Sequence, residues 1–297
     1  MIAENVNRLQ TNMTPSEFTH PDDAAALKTL ESIPVLPAVV KKVMDIGIEQ
    51  LTYGTNMASK ILLSPTQLPK LYHILPPICQ RLGIREPGFY LEMNPMPNAY
   101  AFGDTYTAIT ITSGLVEMLT EDELTAVVAH ECGHILCRHM LYHTVATVLT
   151  NEMLQSEILG LLAAPVSYAL LYWNRKSELS CDRVAAFHCG PKAIISVMSR
   201  LAGGPKSITD EVNLVELAEQ ADKYDAICKD GAWNRVLQTY AVMGNDHPYT
   251  SVRIREILRW VASEQYKMLR EKYPSCPYCY REIVERVRFC KHCGKKL

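Results

Sequence analysis

Thr120-Glu121-Asp122-Glu123-Leu124-Thr125-Ala126-Val127-Val128-Ala129-His130-Glu131-Cys132-Gly133-His134 is the stretch that decides most about this chain. Thr120 followed three residues later by Glu123 forms a capping box, which starts a helix. The acidic first turn also suits the helix dipole. The spacing predicts a helix running uninterrupted to about Leu149. On it His130 and His134 stand four apart, on one face, close enough to share one ion. Zinc takes imidazole nitrogens, and a catalytic zinc keeps three protein ligands and a fourth position for water. Glu131, beside the first histidine, can take a proton from an attacking water and pass it to the leaving amine. The plainer alternative is a pair of hydrogen-bonded helix histidines. The apolar flanks Val127, Val128, Ala129, Ile135 and Leu136 suit a helix packed beneath a cleft.

A third ligand is expected further along. Glu178 and Asp182 are again four apart, on one helical face. A Glu completes a His₂Glu zinc shell, and a ligating histidine needs an acceptor for its other ring N–H. Glu178 fits the first role and Asp182 the second; the alternative is a surface acidic face paired with Arg175 or Arg183. Nothing around Cys181 or Cys189 supports a cysteine ligand instead. His139 and His143 repeat the four-residue spacing. On an uninterrupted helix His139 falls about half a turn from His130, so both are expected to be structural or surface histidines, with a second metal pair as the alternative.

These residues resemble the gluzincin metallopeptidase family that includes the bacterial heat-shock protease HtpX and the CAAX prenyl endopeptidases. The resemblance runs from about Pro87 to Ile257. It rests on Asn98-Ala99-Tyr100-Ala101-Phe102-Gly103, Ser113-Gly114-Leu115, Asp122-Glu123-Leu124 leading into His130–His134, Arg138-His139, Glu178-x-x-x-Asp182, and His247-Pro248 followed by Arg253. It implies that His130, His134 and Glu178 bind a catalytic zinc, that Glu131 is the base, and that Asp182 steadies a ligand histidine. It makes Asn98 and the strand Ala99, Tyr100, Ala101 the edge on which an extended peptide lies, a recognition mode that backbone pairing supports. His247 would contact substrate or oxyanion, and Arg253 would be a buried partner of the acidic site residues. Many family members carry clear membrane spans near the equivalent of Leu141–Trp173. Here Ile158–Trp173 is an uncharged run of sixteen residues, short of the ~20 a spanning helix needs. It is expected to be a buried or partner-facing helix, with membrane contact as the alternative.

A second cluster closes the chain. Cys276-x-x-Cys279, ten residues, then Cys290-x-x-Cys293 is a zinc-ribbon spacing. Four thiolates form a closed structural zinc site, and a module this small takes its folding energy from the metal. Val284, Val287 and Phe289 suit a hairpin between the pairs, and Gly294 allows a turn at the second. Redox pairs are the alternative, but no βαβ context supports them. The other six cysteines, Cys79, Cys132, Cys137, Cys181, Cys189 and Cys228, are read as small buried hydrophobes.

The rest of the chain sets bounds. At 297 residues, 48% hydrophobic and 21% charged, it can bury a core without disulfides, and a disordered or fibrous chain is excluded. Net charge is −2, yet Ser251–Leu297 holds twelve Lys/Arg against five Glu, which leaves −9 on the first 250 residues. A uniformly basic nucleic-acid binder is excluded; the basic tail is read as a solvated helix plus a ribbon whose four thiolates offset some of the charge, with an anionic partner as the alternative and a protein the candidate partner of the ribbon. No basic n-region precedes an apolar stretch at the N-terminus, so the thiols are expected in a reducing cytoplasm, with membrane association as the alternative. The start to about Ala25 is expected to be loose, followed by helices at Ala25–Ile33, Leu36–Gln50 and a proline-disturbed Leu68–Leu82, then short strands at Gly88–Met93, Ala99–Phe102 and Thr107–Thr112.

The expected protein is a mainly helical α+β zincin-type metallopeptidase with a small mixed sheet: an N-terminal helical region over 1–86, a peptidase domain over 87–272 and a zinc ribbon over 273–297. It would carry one catalytic and one structural zinc and hydrolyse peptide bonds in proteins. The alternatives are a membrane-associated protease of the same family, or a non-catalytic zinc-stabilised adaptor acting through its ribbon.

Overall fold

The computed structural model describes residues 13–150, 157–229, 249–283 and 287–297. The chain is mainly helical with one small mixed sheet. Three helices open it: α1 (Pro21–Glu31), α2 (Leu36–Asp45) and α3 (Ile48–Ser59). From Met13 onward the start is less loose than its composition suggests. Pro15–Glu17 forms a 3-10 turn, and the His20 ring caps α1 by accepting from the Asp22 N–H. Proline at the first helical position suits a helix start, where no N–H is needed. The predicted helix over Leu36–Gln50 divides into α2 and α3 at Gly47, whose φ of +75° is left-handed. The prolines divide Leu68–Leu82 as expected, into α4 (Pro69–Tyr72) and α5 (Leu75–Leu82).

The strands fall where the turn residues bound them: β2 (Gly88–Glu92), β3 (Ala99–Phe102) and β4 (Ala108–Thr112). A two-residue strand, β1 (Ile61–Leu62), gives too little pattern to be read from sequence. The sheet order is β1-β2-β4-β3. β4 is parallel to β2 and antiparallel to β3, with Ala99 opposite Ile111 and Phe102 opposite Ala108. β4 is buried at every position, as a central strand of alternating Ile and Thr can be. β3 is therefore an edge strand, with one side unpaired in the sheet.

A short helix, α6 (Ser113–Met118), intervenes between β4 and the capped helix α7 (Glu121–Leu136). The capping box forms: Glu123 Oε2 accepts from the Thr120 N–H at 2.9 Å. α7 does not continue to Leu149. It stops at Leu136, Arg138 takes a left-handed φ of +61°, and α8 (Met140–Thr150) starts in a new direction. No glycine marks this break, so the sequence pattern runs straight through it.

α9 (Glu157–Cys189) spans roughly 50 Å at 1.5 Å per residue. α10 (Pro191–Gly203) follows it. In α9, Val166, Leu170 and Trp173 are buried while Tyr168 and Tyr172 are exposed. Among the described residues no helix is long and apolar enough to cross a membrane. Two cores result. One packs α5, α7, the end of α9, α10 and helix Thr250–Val261 around the sheet; the other joins α1–α3 to α8 and the middle of α9.

Candidate active site and metal centre

α7 and α9 cross closely because Gly133 has no side chain. A Cβ there would come within 3.0 Å of Cys181 Cα. The approach carries Glu178 between the two α7 histidines. Its Oε2 lies 3.2 Å from His130 Nε2 and its Oε1 3.2 Å from His134 Nε2. The three donor atoms lie within 4.8 Å of one another, and all three residues are buried.

The surroundings fit a cation. His130 Nδ1 lies 3.0 Å from Asp182 Oδ1. Arg253, on helix Thr250–Val261, donates to Asp182 through Nε at 2.8 Å and Nη2 at 2.6 Å, and its Nη1 lies 3.2 Å from Glu178 Oε2. Burial raises the Asp182 carboxyl, but Arg253 outweighs it and holds it below the usual range. Burial alone would lower the His130 imidazole; Glu178 and Asp182 lift it instead to about 10. One guanidinium thus faces two buried carboxylates, with Glu131 adding a third buried acid. Two imidazole nitrogens and one carboxylate, their far sides already hydrogen-bonded, form a donor set suited to zinc with room for a further ligand.

Two cavities meet at this point. One of about 500 Å³ is lined by Asn98, Tyr100, Ala101, Glu131, His134 and His143, among others. Another of about 270 Å³ is lined by Val127, Ile194, Val197, Met198 and Leu201 with His130 and Arg253. Asn98, Ala99, Glu131 and Glu178 border both. The edge strand β3 therefore runs along a cleft with Glu131 at its middle. The Asn98 backbone is held by Thr112, whose Oγ1 accepts the Asn98 N–H at 2.9 Å. The Tyr100 hydroxyl donates to Glu92 at 2.8 Å and accepts from Lys60 Nζ at 2.6 Å. His247, the expected substrate or oxyanion contact, lies outside the described residues, as do Pro248 and Val284.

His139 and His143 were expected on the far side of a continuous helix. The break at Arg138 overturns this. It swings both rings back against His134, with centroids 5.4 Å and 4.5 Å from it. His139 Nδ1 lies 3.3 Å from His134 Nδ1, and Cys181 Sγ lies 3.6 Å from the same His139 nitrogen. Burial keeps the Cys181 thiol well above its usual range, hence neutral. Burial lowers the His139 imidazole against the opposing pull of Asp23. The i, i+4 spacing of these two histidines was visible, but not the kink that turns them inward.

The four C-terminal sulfurs also converge within 4.8 Å of one another. The two pairs repeat one local geometry. The Tyr278 N–H donates to Cys276 Sγ and the His292 N–H to Cys290 Sγ, both at 3.4 Å. Cys276 O accepts from the Tyr280 N–H and Cys290 O from the Gly294 N–H. Tyr280 and Gly294 both take positive φ, 58° and 70°. The glycine was legible as a turn; Tyr280, doing the same work, was not. The backbone N–H groups of Cys293 and His292 hold the Cys290 thiol down at about 6, which favours the thiolate a metal needs. Among the described residues isolated bridges flank each pair, Ser275 with Glu282 and Phe289 with Lys296, while the middle of the expected hairpin lies outside them. Val287 and Phe289 are exposed. The cluster could form a zinc ribbon. Of the other cysteines, Cys79, Cys132 and Cys181 are buried, and Cys137 and Cys189 are half-buried.

The profile of peptidase family M48 matches residues 65–261, more than half of the chain. The chain belongs to peptidase family M48. An Arabidopsis thaliana relative described as plastoglobule-localized metallopeptidase 48, chloroplastic, is 34% identical over 267 residues, covering 88% of this chain and 77% of its own. A protease HtpX homolog of Trichormus variabilis is 36% identical over 227 residues, covering 66% of this chain and 75% of its own. No solved structure matches the chain significantly. Family membership makes it a peptidase, acting on protein or peptide substrates.

Proposed function

We propose that this M48 member is a zinc metalloendopeptidase, with His130, His134 and Glu178 holding the zinc and Glu131 as general base. The observation that supports this most is the position of Glu131. It borders both cavities, next to the three converging donors. When bound, zinc supplies Lewis-acid polarisation of a carbonyl and acidifies water. The protein's own groups do the rest. An extended peptide pairs its backbone with the open edge of β3, at Asn98, Ala99, Tyr100 and Ala101. That lays the scissile bond across the junction of the cavities, with side chains entering them on either side. Glu131 accepts the proton of the attacking water and returns it to the departing amine. Asp182 accepts the His130 ring N–H, and Arg253 fixes both carboxylates against the repulsion they would otherwise feel.

In this reading residues 87–272 carry the peptidase, 1–86 the N-terminal helices and 273–297 the ribbon with a second, structural zinc. A reducing cytoplasm suits a tetrathiolate site. The exposed Tyr278 and Phe289 on the ribbon favour a protein partner there.

The test uses purified chain and a casein substrate. Glu131→Gln should lower cleavage by roughly 10²–10⁴-fold, the usual worth of a general base, with zinc content unchanged. Cleavage by that variant at the unaltered rate, free of host proteases, would sink the mechanism.

A further inference from the structure

The N-terminal helix α1 reaches the back of the metal centre through one buried carboxylate. Asp23 is 1% exposed and His139 3% exposed. Asp23 Oδ1 accepts from Trp173 Nε1 at 2.9 Å, and Oδ2 accepts from Ser180 Oγ at 2.5 Å. His139 Nε2 lies 3.2 Å from the same Oδ2, and His139 Nδ1 faces His134 Nδ1 at 3.3 Å. The helix bearing Asp23 is fixed in turn. The His20 N–H donates to Ser180 Oγ, and Arg183 Nη1 donates to Thr19 O.

The placement of protons follows from what His134 must do. This step rests on the zinc-site reading above. To ligate through Nε2, His134 must carry its proton on Nδ1. The partner the structure gives that proton is His139 Nδ1, which must then be bare. The His139 proton consequently sits on Nε2 and points at Asp23. Each nitrogen in the series has one role, and reversing any of them would put a proton on the ligating atom of His134.

We propose that Asp23 and His139 are positioning residues for the metal ligand His134, a carboxylate–imidazole–imidazole relay that sets its tautomer and ring orientation from the N-terminal helix. The two ligand histidines thus have different supports. His130 leans directly on Asp182, from the same α9 helix that supplies Glu178. His134 leans on a carboxylate from α1, delivered through a second imidazole. On this view α1 completes the metal centre.

The test measures zinc affinity of the full chain by competition with a chromophoric chelator, together with the visible spectrum after Co²⁺ substitution. Thiolate charge-transfer bands report the ribbon separately. His139→Leu leaves the His134 N–H without an acceptor and should weaken zinc at the helical site by roughly 10–100-fold, the usual worth of such an outer partner. It should also shift the visible Co²⁺ bands. In His139→Gln the side-chain carbonyl can accept from His134 and the amide can donate to Asp23, so most of the affinity should return. Asp23→Asn should fall between them. If His139→Leu does not fold, Asp23→Asn and His139→Gln carry the test. Unaltered affinity and Co²⁺ spectrum in the variants that fold, with only a lower unfolding free energy shared by zinc-free and zinc-loaded protein, would make these packing residues and overturn the relay. His134→Ala separates the two readings. If it holds zinc as tightly as the unaltered chain, the zinc-site assignment itself fails. If it loses zinc while Asp23→Asn and His139→Leu retain it fully, the relay alone fails.

Discussion

In the ribbon, four sulfurs come from two stretches of four residues, 276–279 and 290–293. In the proposed helical site, the three converging donor atoms belong to His130, His134 and Glu178, and the side chains packed against them to Asp23, His139, Asp182 and Arg253. The ribbon's outer partners are backbone N–H groups inside each pair, those of Tyr278 and His292. A closed site can be built locally, because its ligands need only be brought together. A site that must also present a base, an open coordination position and a substrate edge needs groups on different elements, and only tertiary packing supplies them.

That contrast can be broken at several points. The largest expected effect is Glu178→Ala. It should abolish zinc at the helical site, a loss beyond the roughly 10–100-fold worth of an outer partner, while the ribbon zinc stays, so metal analysis should fall from two per chain to one. Two zinc in the variant would show that Glu178 is no ligand. Next is Arg253→Met, which strands Asp182 and Glu178 without their buried cation. Stability should drop by about 3–5 kcal/mol in chemical denaturation; a drop below 1 kcal/mol would mean that the ion pair is not what balances the site.

Gly133→Ala tests the helix crossing. Overpacking against Cys181 should cost about 1–3 kcal/mol and weaken zinc at the helical site with it, whereas an unchanged affinity would mean that the two helices can part without moving Glu178. Cys290→Ser should act only on the other side of the comparison: one zinc lost, proteolytic nicking beyond residue 272, and casein cleavage retained. Loss of cleavage would show that the ribbon supports the peptidase rather than standing apart from it.

The smallest effect is pH-dependent. The His20 ring, its Nε2 3.6 Å from Glu256 Oε2, holds the Glu256 carboxyl at about 2 against the effect of burial, with Arg255 and Arg259 adding to it. Its folded value lies below its ordinary one of 4.5. The stability it contributes is therefore fully present above that ordinary value and is lost as pH falls toward about 2. Glu256→Gln should flatten the acid limb of stability over that window, read by thermal unfolding at stepped pH. An unchanged limb would show that the tie between α1 and helix Thr250–Val261 carries no such linkage.

Much of the fold was legible because its signals are short-range. The capping box at Thr120, the proline breaks near Pro69 and Pro76, and the turn-bounded strands all depend on neighbours within a few residues. The break at Arg138 was not legible: its left-handed backbone sits on an arginine, where no glycine or proline gives notice. The histidine wheel failed at that point, and with it the placement of His139 and His143. Tyr280 hid its turn in the same way, while Gly294 announced the matching one. Asp23 fell in the stretch before Ala25 that was expected to be loose, since nothing local distinguishes a buried carboxylate from a solvated one.

By itself the sequence determined the types and spacing of the candidate ligands. His130 and His134 must share a face because a helix has 3.6 residues per turn, and Cys-x-x-Cys pairs must turn tightly because their sulfurs converge. The tertiary structure decided which face meets which. The close crossing at Gly133 seats Glu178 between the histidines, the kink at Arg138 folds His139 behind His134, and α1 brings Asp23 to the back of the centre. Those contacts join residues far apart in the chain, and their energies depend on burial and exact approach, which no local pattern encodes.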